Sequence, residues 1–161
     1  MQTVGLTALV EKLKLKNLTP EVDMSGITIT TPNINRPALQ LAGYFDHFAS
    51  DRVQIIGYVE YTYLKHLTVE KRVPVYERFL SSEIPCVIFS SRTEPDEEFV
   101  QLAVKYNKPL LASDQETSPF MAECIRALST MLAPCISIHG VLVDVYGEGV
   151  LLMGESGVGK S

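Results

Sequence analysis

The residues best suited to do chemistry stand together. Gly154-Glu155-Ser156-Gly157-Val158-Gly159-Lys160-Ser161 fits the pattern G-x-x-x-x-G-K-[ST]. Its glycines let the backbone take conformations closed to other residues and approach a phosphate closely. Successive N–H groups then point inward as an anion nest. Lys160 would reach the β- and γ-phosphates of a nucleotide, and the Ser161 hydroxyl would bind magnesium. A chance match in a chain of this length is rare, roughly one in a few hundred at ordinary residue frequencies. That favours a phosphate loop over a flexible glycine-rich terminus. Such a loop continues into a helix whose dipole helps hold the phosphates. The chain stops at Ser161, before that helix and before any second acidic magnesium ligand, so the 161 residues alone are expected to be inactive.

The loop needs a strand ahead of it, and Val150-Leu151-Leu152-Met153 is an apolar run of that kind. Ile136, Ile138, Val141, Val143 and Val145 form a β-branched run without helical period. Tyr146-Gly147-Glu148-Gly149 turns between the two runs, and the pattern predicts a hairpin. Depending on register, His139 lies opposite Ser156 or Val158, beside the phosphate loop either way. There it could bind phosphate or help position a proton-transferring group, or be a hydrogen-bonded structural histidine. Asp144, Glu148 and Glu155 are weaker candidates: one mid-strand, one in a turn, one at a variable loop position. His47 and His66 lie in aromatic-rich helical stretches and are expected to have packing or surface roles. Tyr58, Tyr61 and Tyr63 read as core or interface.

A length of 161 residues makes one domain, or one domain and the start of another. A hydrophobic fraction of 46% is enough for a core and excludes disorder as the main state. The net charge is −5, which argues against a nucleic-acid partner and against an anionic membrane surface. Lys12, Lys14 and Lys16 form a basic cluster alternating with leucines, expected to be a solvated helix end. No apolar run is long enough to span a membrane. The N-terminus lacks the basic start and apolar core of a signal peptide. Cys86, Cys124 and Cys135, without a C-x-x-C pair, fit reduced thiols in a cytoplasmic protein. The three histidines are too scattered for a zinc site.

The remaining chain reads as α/β. A helix is predicted from Thr3 to Leu15, a strand over 27–30, a loop over 31–35, and a helix with Pro37 in its first turn carrying Leu39, Leu41, Ala42, Tyr44 and Phe45. Apolar runs at 53–57, 85–89 and 109–112 alternate with helical stretches at 58–80 (two helices), 95–107 and 117–132. Glu94-Pro95-Asp96-Glu97-Glu98 is read as a helix start with proline in the first turn. This alternation predicts a parallel sheet covered on both faces. Residues 1–132 are expected to be one α/β domain and 133–161 the opening of a second.

The segment from Ser137 to Ser161 closely resembles the opening of the catalytic domain of HPr kinase/phosphorylases. Asn35-Arg36-Pro37-Ala38-Leu39-Gln40-Leu41-Ala42-Gly43-Tyr44-Phe45 and Asp51-Arg52-Val53-Gln54-Ile55-Ile56-Gly57 resemble the N-terminal domain of the same family, with Ala38 where the family often has glycine. The resemblance implies a bifunctional enzyme. It would phosphorylate a serine of the phosphocarrier protein HPr with ATP or pyrophosphate, and remove that phosphate with inorganic phosphate, yielding pyrophosphate. It implies a role in carbon catabolite repression and cytoplasmic homo-hexamers. It also implies an N-terminal domain like the substrate domain of Mur ligases and a kinase domain like phosphoenolpyruvate carboxykinase. Carried onto this chain, Gly154, Glu155, Ser156, Gly157, Val158, Gly159, Lys160 and Ser161 would bind ATP, and Ser161 would touch Mg2+. Lys160 and His139 would be catalytic, His139 assisting an aspartate downstream of residue 161. Two other functions stay open on the residues alone: another P-loop kinase or ATPase with a different acceptor, and a non-catalytic ligand- or partner-binding module.

Overall fold

The computed structural model describes residues 3–133. The phosphate loop, His139 and the expected hairpin lie outside the described residues.

The apolar runs become strands because both sides of each are buried. Val53–Ile56 (β5), Val87–Phe89 (β6) and Leu110–Ala112 (β7) lie side by side and parallel, with Gln54 opposite Val87 and Val87 opposite Leu110. Four shorter strands precede them; one lies within the strand expected over 27–30, and the other three the sequence pattern does not reveal. Ile34–Asn35 (β4) extends the parallel set beside β5, so the end of the expected 31–35 loop is a strand. Lys16–Asn17 (β2) closes the far edge antiparallel to β7. The order is β2-β7-β6-β5-β4. Val4–Gly5 (β1) and Thr28–Ile29 (β3) pair antiparallel as a separate ribbon.

The expected N-terminal helix is shortened to Leu6–Leu13 (α1), because Val4 and Gly5 are taken by the ribbon and Lys14 ends the helix in the left-handed region. Lys12, Lys14 and Lys16 are all exposed. Ala38–Leu41 (α2) is a single turn, cut off by Gly43 at φ 100. Pro37 stands just ahead of it at the cap, not inside the first turn. The 58–80 stretch divides as expected, into Tyr58–Lys65 (α3) and Val69–Leu80 (α4). Glu97–Lys105 (α5) starts after Pro95. Its cap is Asp96, whose carboxylate accepts from Phe99 N–H at 2.9 Å, with Glu97 and Glu98 in the first turn where the dipole favours them. Thr117–Leu132 (α6) has the bounds that the sequence predicts.

The helices sort onto two faces. Val53, Ile55, Cys86, Ile88 and Leu111 point to the face covered by α1 and α6, through Leu6, Leu9, Phe120, Cys124 and Leu128. Ile56, Val87, Phe89 and Leu110 point to the other, covered by α2 to α5 through Leu41, Leu64, Tyr76, Phe79, Phe99 and Ala103. An aromatic knot centres that second layer: the Phe99 ring lies 4.8 Å from Tyr76 and 5.3 Å from Phe89, both edge-on. Tyr76 also donates its hydroxyl to Asp96, and Arg72 reaches Glu98 at 3.1 Å, which joins α4 to α5.

Polar groups inside the sheet are satisfied. Gln54, fully buried, donates to the carbonyls of Arg52 and Ala49 and accepts from Asn35 at 2.7 Å. Thr19 Oγ1 accepts the Leu110 N–H at the edge of β7. Cys86 and Cys124 are free and buried; burial pushes both thiols up, Cys124 to about 12, so neither is a ready nucleophile. No helix among the described residues is long and apolar enough to cross a membrane.

Candidate functional site

Four parallel strands end at one edge, and the residue types change there from apolar to polar. Arg36 follows β4, Gly57 follows β5, Ser90 and Ser91 follow β6, and Thr117 opens α6 after β7. The Arg36 guanidinium grips Glu60 in the first turn of α3, Nε donating at 2.8 Å and Nη2 at 2.6 Å. Glu60 Oε1 also accepts the Gly57 N–H at 2.9 Å. Three charge-assisted or capping bonds thus satisfy a carboxylate that is buried. Gly57 is required by space: a Cβ there would lie 2.7 Å from Thr117 Oγ1 and 2.8 Å from Arg36 Nη2.

Thr117 ties α6 to β6 by hydroxyls whose protons can be assigned. Ser90 Oγ donates to the Ile56 carbonyl at 3.2 Å, so Thr117 Oγ1 donates to Ser90 Oγ at 2.7 Å. Ser91 Oγ then donates to Thr117 Oγ1 at 2.9 Å and accepts the Thr117 N–H at 3.0 Å. The turn that places Ser91 holds two consecutive non-glycine residues, Ser91 and Arg92, in the left-handed region at φ 57.

Beside this lock, α2 and α3 leave an apolar hollow of about 220 Å³ between Ala38, Leu41, Ala42, Val59 and Tyr63, with Glu60 in its wall. Tyr58 and Tyr63 stand 62% and 40% exposed, and Tyr61 is half-buried, so of the two readings, core or interface, the core is ruled out for all three. His47 and His66 are exposed. Among the described residues no group of three or more His, Cys, Asp or Glu could hold a metal. The candidates His139, Asp144, Glu148 and Gly154 to Ser161 lie outside the described residues. The strand-end set was missed by sequence reasoning; its signal was a serine pair after one apolar run and an Arg-Pro after Ile34-Asn35.

The arrangement defines an α/β domain whose parallel strands deliver their polar residues to one edge. Comparison with known proteins gives the family. The HPr Serine kinase N terminus model matches residues 4–128, and the HPr Serine kinase C-terminal domain model matches residues 130–161. The chain belongs to the HPr serine kinase family. It is similar to the HPr kinase/phosphorylase of Lachnoclostridium phytofermentans, 53% identical over 161 residues, which are 100% of this chain and 52% of that protein. With that of Caldicellulosiruptor bescii it is 49% identical, over 99% of this chain and 50% of the relative. The chain spans about half the length of the curated relatives it matches. Among solved structures, the CBS and DRTGG domains of the regulatory region of Clostridium perfringens pyrophosphatase match at TM-score 0.49 and 14% identity, covering 76% of this chain and 46% of that one.

Proposed function

We propose that the protein is a bifunctional serine kinase and phosphorylase of the phosphocarrier protein HPr. The observation that carries this reading is the 53% identity to an HPr kinase/phosphorylase along the whole chain, phosphate loop included. In one direction the γ-phosphoryl of ATP, or a phosphoryl of pyrophosphate, passes to a serine hydroxyl of HPr. In the other, inorganic phosphate attacks the phosphoserine, freeing the serine and forming pyrophosphate. Gly154, Glu155, Ser156, Gly157, Val158 and Gly159 wrap the phosphates with backbone N–H groups. Lys160 stabilises charge on the transferred phosphoryl group. His139 assists the acidic group that takes the serine proton. The Ser161 hydroxyl is a hard oxygen donor of the kind Mg2+ takes, and the ion would supply charge neutralisation there.

On this reading residues 1–132 form an N-terminal α/β domain of the Mur-ligase substrate-domain kind. Residues 133–161 open a kinase domain of the phosphoenolpyruvate-carboxykinase kind. The full-length enzyme works in the cytoplasm as a homo-hexamer and serves carbon catabolite repression.

The test uses the full-length protein with HPr, ATP and magnesium, followed by mass analysis of HPr. Addition of inorganic phosphate then follows, with an assay for pyrophosphate. Serine-phosphorylated HPr that reverts with pyrophosphate release is the expected outcome. ATP turnover with HPr unmodified would withdraw the assignment in favour of a P-loop enzyme with another acceptor.

A further inference from the structure

We propose that the crevice beyond the carboxyl ends of β6 and β7 binds a small zwitterion, a free α-amino acid. The first ground is topological. β6 and β7 are adjacent and parallel, yet their outgoing connections part to opposite faces of the sheet. From β6 the chain leads to α5, which packs on Val87, Phe89 and Leu110. From β7 it leads to α6, which packs on Cys86, Ile88 and Leu111. Where neighbouring connections diverge in this way a crevice opens past the strand ends, and open α/β sheets bind ligands there.

The second ground is the hollow itself. A volume of about 560 Å³ lies at this point, within the range of small-molecule sites. One wall comes from the turn after β6, where the left-handed pair Ser91 and Arg92 both line the hollow. The facing wall comes from the segment after β7, with Asp114, Glu116 and Ser118. Tyr58, 62% exposed at the start of α3, adds a ring to the side.

The third ground is the charge arrangement. A cation stands on one wall and two carboxylates on the other, and none of the three is in an ion pair with another of the described residues. A purely anionic ligand would meet Asp114 and Glu116; a purely cationic one would meet Arg92. A molecule carrying both a positive and a negative group can match both walls at once. Its carboxylate would face Arg92, its ammonium the two acids, and its side chain the Tyr58 ring. The lock described above keeps the walls in place: Ser91 is bonded to Thr117 at the root of α6, so the two sides of the crevice are joined below the ligand.

Calorimetric titration of the 161-residue chain would test this with L-phenylalanine, glycine, N-acetyl-L-phenylalanine and L-phenylalanine methyl ester. Saturable binding of L-phenylalanine is expected, weakened about tenfold when either charge is blocked, the usual effect of losing a charge-assisted hydrogen bond. Arg92→Gln should weaken L-phenylalanine and the N-acetyl compound but not the ester. Asp114→Asn should weaken L-phenylalanine and the ester but not the N-acetyl compound. Both side chains are exposed, so the fold should survive. Amide NMR of the unsubstituted chain is the second readout, with shifts expected at Ser91 and Ser118 on titration with glycine. The proposal is overturned if no zwitterion binds, if the N-acetyl compound or the ester binds as tightly as L-phenylalanine, or if neither substitution changes affinity.

Discussion

Arg36 and Glu60 meet as a two-toothed pair between the end of β4 and the first turn of α3, Nε to Oε2 at 2.8 Å and Nη2 to Oε1 at 2.6 Å, with the glutamate side chain 3% exposed and the arginine side chain 34%. The asymmetry sets the outcome of breaking it. Arg36→Ala leaves a buried carboxylate uncompensated and should destabilise the domain by about 3 kcal/mol. Adding Glu60→Gln removes the stranded charge and should recover part of that loss. Urea unfolding of the two variants checks both statements. An Arg36→Ala chain as stable as the parent would mean that the pair is held without consequence.

Gly57→Ala probes the same corner from the backbone. The added methyl meets Thr117 and Arg36 at distances that Cβ atoms do not tolerate, so those side chains must shift and their hydrogen bonds with them. A loss of about 1–3 kcal/mol is expected. Because two of the three close atoms belong to Thr117, the loss should shrink in a Thr117→Ala background, although Thr117→Ala itself removes hydroxyl bonds to Ser90 and Ser91. A double-mutant cycle measures the coupling. Additive effects would refute the clash.

Acid should act on the α4–α5 junction. Hydrogen bonding from Arg72 holds the Glu98 carboxyl below its ordinary value of 4.5. A depressed carboxyl contributes stability above its unfolded-state value and loses it as pH falls through the lower folded-state one. The urea midpoint should therefore decline on acidification below about pH 5. In Glu98→Gln the decline should be shallower while stability at neutral pH is slightly lower. An identical acid limb in parent and variant would sink the assignment.

The catalytic proposal separates two residues. In the full-length enzyme Lys160→Ala should abolish transfer to HPr, because charge stabilisation is most of phosphoryl-transfer catalysis. His139→Ala should slow both directions and leave the circular dichroism spectrum unchanged. Rate measurements on both variants decide: near-native turnover without Lys160 removes the site assignment, and unchanged rates without His139 return it to a structural role.

The fold was legible where residues are buried on two sides. Val53–Ile56, Val87–Phe89 and Leu110–Ala112 announce themselves as continuous apolar runs, and α6 was readable to its ends. The strands β1, β2 and β4 were not, since two residues carry no period and their pairing is decided by partners elsewhere in the chain. Pro37 caps α2 and Pro95 stands just before the cap of α5, neither of them inside the first turn, because at all of these positions proline's missing N–H leaves no helix bond unmade. The strand-end lock was illegible for a different reason. Arg36 reaches Glu60 across 24 residues and Met121 across 85, and no local spacing signals such meetings. The phosphate-loop reading is of the reverse kind: it rests on local spacing alone and lies outside the described residues.

Both borders of the main sheet are two-residue strands, β2 and β4. One carries Lys16, and Pro32 and Pro37 flank the other. A neighbouring chain looking for a ladder to extend finds almost no rungs. Copies of this domain crowded together are thereby guarded against fibre-like stacking, and contact between them falls to side chains on the helices, where it can be selective and reversible.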